Sequence, residues 1–292
     1  MTRLARGSQG LRGGRLPRPL ERALELPEAW LASRRAARRL APRLAEVERF
    51  CLFVGYPRSG HSLLGSLLDA HPEIVIAHEL NVLRYLKYGF RREQLFALLW
   101  ENARSHAEAG RVQSGYGYAV PGQWQGRVRR LRVIGDKRGG SAIRRLEADP
   151  AQLPRLEARV GVPLRFVHVL RNPFDNIATI QRRRPRMDVE AAAAHYFAMV
   201  RGVEALWQRL PAQARLDVRH EDLVAEPERE LASACRFLGV EDAEDYLRAC
   251  AGVVWRTPRQ SRYEIAWPGG SRARIQTEIE RHPFLQGYRF ES

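Results

Sequence analysis

Phe50-Cys51-Leu52-Phe53-Val54-Gly55-Tyr56-Pro57-Arg58-Ser59-Gly60-His61-Ser62-Leu63-Leu64 passes from a wholly apolar segment through a turn-rich loop into helical spacing. The apolar run at 50–54 is short enough for a strand buried on both faces. From Ser62 to Ala70 the leucines at 63, 64, 67 and 68 share one side of a helix. Strand, glycine loop and helix in that order make the first unit of a parallel α/β domain. The loop has the glycine spacing of a phosphate loop, G-x-x-x-x-G-K-[ST], where backbone N–H groups at a helix N-terminus converge on phosphate oxygens. Its lysine position holds His61, and the cation is instead Arg58, inside the loop. Standing alone, the segment also reads as a tight turn with a chance arginine. Its place between a strand and a helix favours the phosphate cradle.

Further strands are predicted at 74–77, 131–134, 164–170 and 215–218. Asp188 caps a helix running to about Leu210, and 228–238, 241–251 and 271–281 read as helices. The expected fold is α/β, a three-layer parallel sheet flanked by helices, like that of the P-loop nucleoside triphosphate hydrolases. It occupies residues 49–292, with 1–48 as a basic, partly disordered or helical N-terminal extension. Residues 1–20 are rich in Gly, Arg and Pro and are expected to be disordered. Residues 21–47 read as helix broken near Pro27 and Pro42, packed outside the domain or loosely attached. Residues 90–130 read as a variable insertion over one face.

The net charge of +16 on 292 residues points to anionic partners: nucleic acid, a membrane surface or a highly charged nucleotide. Of the 49 basic residues only Lys87 and Lys137 are lysines, so part of the charge is a compositional preference for arginine. The three cysteines, Cys51, Cys235 and Cys250, lack metal-ligand spacing and read as reduced core thiols, which places the chain in the cytoplasm. No apolar run approaches the ~20 residues of a membrane helix, and no apolar segment follows the N-terminal arginines as in a secretory signal.

A second anion grip is read after the strand at 164–170. A nucleoside triphosphatase often places a metal-binding Asp there. This chain has Arg171-Asn172-Pro173, with Thr179 and Arg183 on the helix that follows. An arginine at a strand end and a hydroxyl two turns up a helix can hold one phosphate. Taken singly, the pair is also compatible with a surface arginine and a core-facing threonine. Two grips on adjacent strand ends fit a nucleotide with two separate phosphate groups.

Tyr56-Pro57-Arg58-Ser59-Gly60 with its helix resembles the 5′-phosphosulfate loop of sulfotransferases that use 3′-phosphoadenosine-5′-phosphosulfate (PAPS). Leu170-Arg171-Asn172-Pro173-Phe174-Asp175-Asn176-Ile177-Ala178-Thr179 resembles their 3′-phosphate motif, and Arg219-His220-Glu221-Asp222-Leu223 their "YEDL" segment with His220 for tyrosine. The resemblance covers about residues 50–290, and Gly55 to Glu73 is most similar to the tyrosylprotein and bacterial branch. It implies sulfuryl transfer to an acceptor hydroxyl, PAPS as co-substrate and no metal. The nucleotide-binding residues it implies are Arg58, Ser59, Gly60, His61, Ser62, Arg171, Thr179 and Arg183. His61 departs from the threonine usual in that branch, and an imidazole N–H would take over its contact to phosphate.

By analogy with phosphoryl transfer, the reaction needs a base, cations for the leaving phosphate and a fixed line of attack. Glu79, just after the strand at 74–77, is the favoured base, and it falls at the catalytic glutamate of the tyrosylprotein branch. His78 is the runner-up, because other branches use histidine. The competing structural reading of Glu79 is a surface carboxylate or a partner for Arg84. Arg58 and Lys137 are the leaving-group cations. Lys137 stands out as one of only two lysines, and a compact ammonium suits a bridging oxygen. Val133-Ile134-Gly135-Asp136 also reads as a degenerate metal-holding strand, which would make the chain a P-loop kinase of a small hydroxyl substrate. A non-enzymatic nucleic-acid binder is the other competing reading, but no zinc-finger or RNA-recognition signature supports specific nucleic-acid binding. Neither the acceptor class nor the oligomeric state is readable from these motifs.

Overall fold

The computed structural model describes residues 18–113 and 115–292. In chain order the helices and strands are α1 (Arg18–Leu44), β1 (Arg49–Val54), α2 (His61–Leu68), β2 (Ile74–His78), α3 (Val82–Lys87) and α4 (Arg92–Glu108). A short hairpin follows, β3 (Val112–Gln113) and β4 (Tyr116–Gly117). Then come β5 (Val133–Lys137), α5 (Gly139–Ala148), α6 (Gln152–Val160), β6 (Leu164–Leu170), α7 (Pro173–Arg183) and α8 (Val189–Arg209). The chain closes with β7 (Arg215–Arg219), α9 (His220–Ala225), α10 (Pro227–Leu238), α11 (Glu244–Ala251) and α12 (Ser271–Glu280).

Five strands pair in parallel in the order β2-β5-β1-β6-β7. The β1 side chains alternate between two cores. Phe50, Leu52 and Val54 pack with α4, α5, α6 and α8, whereas Cys51 and Phe53 pack with α2, α10 and α11. This is the three-layer α/β architecture expected from the sequence. The chain moves outward from β1 to β2, returns through β5 and then crosses to β6. That reversal opens a crevice at the C-terminal strand ends, where such sheets bind ligands.

The third strand of the sheet begins at Val133 and ends at Lys137, not at 131–134 as its apolar residues suggested. Its register is set by both neighbours, with Gly135 opposite Cys51 of β1 and Ile76 of β2. A Cβ on Gly135 would lie 2.2 Å from the Cys51 carbonyl oxygen, so this close approach requires glycine. Asp136 and Lys137 are consequently buried strand residues.

The extension also differs from expectation. Residues 1–17 lie outside the described residues, so the disordered arm read at 1–20 is addressed only at 18–20, which are already helical. α1 continues through Pro27 and Pro42 as one helix. Tertiary docking overrides the local penalty of proline: Ala37 and Leu44 enter the main core, and the Gln94 side chain of α4 donates to the Trp30 carbonyl. Nor is 90–130 simply an insertion. Leu95, Phe96 and Leu99 of α4 are fully buried in that core. The buried Arg111 then pairs with Asp69 after α2, and Asp69 also accepts from Ile76 and Gly126 N–H, 2.7 Å each. This buried pair ties the β3–β4 hairpin to the phosphate-loop helix.

Candidate active site

The loop after β1 is held by residues of the second motif. Asn176 of α7 donates to the Pro57 carbonyl (2.8 Å) and to Ser59 Oγ (3.2 Å). Arg171 donates to the Arg58 carbonyl at 3.2 Å and to the Arg259 carbonyl. Ser59 Oγ in turn donates to the Tyr56 carbonyl at 3.1 Å. Arg58 sits at φ 74°, a left-handed conformation uncommon outside glycine and characteristic of functional loops. Gly60 has φ 97°, and a Cβ there would lie 2.5 Å from His220 Nδ1. The loop is thus pressed between the strand ends and α9, with the unpaired first N–H groups of α2 at its end.

A cleft of about 590 Å³ opens over this loop. It is lined by Arg58, Gly60, His61 and Ser62 from the loop, Glu79 and Lys137 from the β2 and β5 ends, and Arg171, Thr179 and Arg183 from the second motif. Of the nucleotide-binding and catalytic candidates read from the sequence, only Ser59 and the runner-up base His78 are missing from this lining, as is Asp136 of the kinase alternative. Ser59 is fully buried, and its hydroxyl is spent inside the loop. His78 donates from Nε2 to Gln113 Oε1 at 3.2 Å and stacks on His106, with ring centroids 3.8 Å apart.

His61 corrects the expectation that its imidazole replaces a threonine at the phosphate. Its Nε2–H donates to the Val54 carbonyl at 3.0 Å, which leaves Nδ1 as a lone-pair acceptor. Burial pulls this imidazole down to about 3, so it is neutral and braces the loop from below.

The chemistry-bearing groups meet around Lys137. Its Nζ lies 3.0 Å from Ser62 Oγ and 3.2 Å from Glu79 Oε1. Glu79 has φ 58°, and its N–H extends the β2–β5 ladder to the Lys137 carbonyl at 3.2 Å. Arg138 holds the Glu79 carbonyl at 2.6 Å. Asp136 receives the N–H groups of Leu80 (3.2 Å) and Val82 (2.8 Å). Both carboxylate oxygens of Asp136 therefore shape the turn that carries Glu79. Burial alone would raise the Glu79 carboxyl, but the Lys137 charge and hydrogen bond outweigh it and leave it below its ordinary value. Glu79 is accordingly ionised at neutral pH and able to accept a proton. Burial lowers Lys137 despite the opposing pull of Glu79. His78 is pushed down to about 4 by burial, then by Lys137 and His106.

On the other side, the buried Thr179 hydroxyl has no hydrogen-bond partner among the described residues. A buried hydroxyl unpaired in a cationic cleft fits an anion that completes it. Burial also lowers Arg58, helped by repulsion from Arg183 and Arg171, so these cations share one field. Among the described residues, no group of three or more His, Cys, Asp or Glu is placed to hold a metal.

Several lining residues were not foreseen: Gln113, Tyr116 and Tyr118 from the hairpin region, His220 and Val224 from α9, and Trp255, Thr257 and Pro258 after α11. Tyr116 and Trp255 face each other at 6.3 Å, edge to face, and Trp255 is 70% exposed. Gly115-Tyr116-Gly117-Tyr118 carried a weak signal, aromatics alternating with glycine, but nothing local assigned them to a site.

A parallel sheet with a glycine loop, a second cluster of cations and a Glu79–Lys137 pair at the strand ends has the architecture of the P-loop folds. Residues 163–245, which span β6 to the start of α11 and include the second grip, match the sulfotransferase family. The fold is shared with the sulfotransferase domain of the Synechococcus PCC 7002 olefin synthase (TM-score 0.52, 18% identity, covering 81% of this chain and 94% of that one). It is likewise shared with the sulfotransferase domain from the curacin biosynthetic pathway (TM-score 0.53, 19% identity, covering 80% and 96%). No curated protein matches the chain. Over residues 163–245 the chain is thus similar to sulfotransferases in sequence, and over about four fifths of its length it shares the fold of sulfotransferase domains.

Proposed function

We propose that the chain moves the sulfuryl group in line from PAPS to an acceptor hydroxyl without a metal, with Glu79 as general base. The observation that carries this is the Glu79–Lys137–Ser62 cluster at the mouth of the phosphate loop, where one ammonium contacts both the carboxylate and the first turn of α2. The acceptor oxygen forms its bond to sulfur as the bond from sulfur to the 5′-phosphate oxygen breaks. Glu79 takes the acceptor proton. Lys137 and Arg58 stabilise the charge that builds on the leaving phosphate, aided by the α2 N–H groups. Arg171 and the unpartnered Thr179 hydroxyl hold the 3′-phosphate, with Arg183 adding charge. Ser59 contributes through the backbone of the loop it closes.

The three cysteines are free and buried, and no described helix is long and apolar enough to cross a membrane. Both fit a cytoplasmic enzyme. The direct experiment is transfer of label from PAPS to a panel of hydroxyl acceptors in EDTA. Strict dependence on added Mg²⁺, or transfer of phosphate from ATP instead, would overturn the assignment.

Two binding results are expected. Adenosine 3′,5′-bisphosphate should raise the melting temperature in EDTA more than ATP does. A native-state ligand at a hundredfold excess over its Kd stabilises by about 2.7 kcal/mol. Equal shifts would mean that the second grip does not read a 3′-phosphate. Arg171→Ala should weaken bisphosphate binding by about 1.5–3 kcal/mol, the range for a charge-assisted hydrogen bond. It should cost adenosine 5′-phosphosulfate, which lacks the 3′-phosphate, much less. Because Arg171 also steadies the Arg58 carbonyl, the difference between the two ligands is the readout.

A further inference from the structure

We infer that the acceptor carries a fixed negative charge, a carboxylate or a sulfate or phosphate ester, and that Arg144 and Arg184 read it. The inference rests on the sulfuryl-transfer reading and names the substrate class of the same cleft. Among the described residues lining the cleft, Glu79 is the only carboxylate. The donor's anionic groups are met by Arg58, Lys137, Arg171 with Thr179, and Arg183. Arg182 and Arg259, also in the lining, pair with Glu264, and positive charge is left over on one wall: Arg138 just before α5, Arg144 in its middle, and Arg184 just after α7.

That wall is distinct from the aromatic one. α5 and α8 pack on the sheet face that buries Phe50 and Leu52, whereas Trp255 follows α11, which packs on the face that buries Cys51 and Phe53. Arg144 and Arg184 converge on His195 of α8. Arg184 lies 3.3 Å from His195 Nε2, and burial, Arg184 and Arg144 together hold that imidazole below its ordinary value. Among the described residues neither arginine has a carboxylate within salt-bridge distance, unlike Arg104, Arg132 and Arg248. A general surplus of arginine would scatter such side chains over the surface. Gathering several in a cleft whose lining offers Glu79 as its one carboxylate among the described residues, with Glu147 on the same helix acting on Arg144 only at longer range, costs free energy that a bound anion returns. Arg138 donates to Ser141 Oγ and the Glu79 carbonyl and so links this wall to the turn that carries Glu79, whereas Arg144 uses Nε on the Gly140 carbonyl at 3.3 Å. An anionic group held by Arg144 and Arg184 would therefore orient a neighbouring hydroxyl toward Glu79.

The test uses protein saturated with adenosine 3′,5′-bisphosphate, titrated calorimetrically with glucuronate, glucose 6-sulfate and glucose. At least one of the two anions should bind, and glucose should not; which anion binds better separates a carboxylate from a sulfate ester. Arg144→Ala/Arg184→Ala should weaken that binding by about tenfold or more, as for loss of charge-assisted hydrogen bonds. Because both side chains are exposed, the double variant should keep its melting temperature and its bisphosphate affinity. Equal binding of glucose, no binding of either anion, or an unaffected double variant would overturn the inference. Failure of the bisphosphate itself to bind is a different result: it sinks the donor reading, and this inference with it.

Discussion

Glu79→Gln is expected to lower turnover by about 10²–10⁴-fold, the range of a general-base contribution, while bisphosphate affinity and melting temperature stay close to the parent. The amide keeps the shape and still presents an oxygen to Lys137, but it cannot take a proton. The loss should therefore appear in kcat, because the interaction matters only as the acceptor is deprotonated. His78→Ala is the control. His78 faces Gln113 and His106 and does not line the cleft, so its removal should act mildly and through the hairpin. Measuring both variants with labelled PAPS decides between the two residues. A severe His78→Ala defect beside a near-normal Glu79→Gln enzyme would reverse their roles.

Lys137→Met should be nearly as damaging, about 10²–10³-fold in kcat, the usual effect of losing one donor that stabilises developing charge. Methionine fills the buried stem without the ammonium, so the strand end should remain packed. A second effect separates electrostatics from damage to the fold. Burial raises the Glu79 carboxyl and Lys137 is the main influence lowering it, so removing Lys137 moves the Glu79 pKa upward. The base works only when ionised. Activity falls as pH drops through that pKa, and the acidic limb of the pH–kcat profile should shift to higher pH in the variant. An unmoved limb with intact kcat would show that Lys137 neither tunes Glu79 nor touches the leaving group.

Much of the candidate cleft lining was legible because a glycine loop between strand and helix is a matter of local backbone geometry, which leaves a trace in the sequence. The apolar run at 50–54, the glycines at 55 and 60 and the leucine spacing after Ser62 specify strand, loop and helix within one short segment. Arg171 and Thr179 were readable for the same reason: a strand end and the following helix turn are a fixed distance apart in sequence. Asp188 announced its helix correctly, and its side chain accepts from Ala191 N–H. The end of β5 was not legible. Asp136 and Lys137 look like loop residues until Leu80, Val82, Glu79 and Ser62 are brought to them from elsewhere in the chain. The unbroken α1 was hidden as well, because two prolines argue against it locally and only the core of α4 argues for it.

The sequence by itself therefore determined the layer architecture, the position of the phosphate loop and the candidate residues on strand ends, because each follows from periodicity and spacing between near neighbours. Only the tertiary structure decided what those side chains do. It turned the His61 imidazole inward to the Val54 carbonyl and spent the Ser59 hydroxyl on the Tyr56 carbonyl. It joined Glu79 to Lys137 across two parallel strands and drew Tyr116, Trp255, Arg144 and Arg184 into one cleft. Those contacts link residues far apart along the chain. Their partners are chosen by sheet order and helix packing, which bring distant segments together and leave no periodic signature in any one of them.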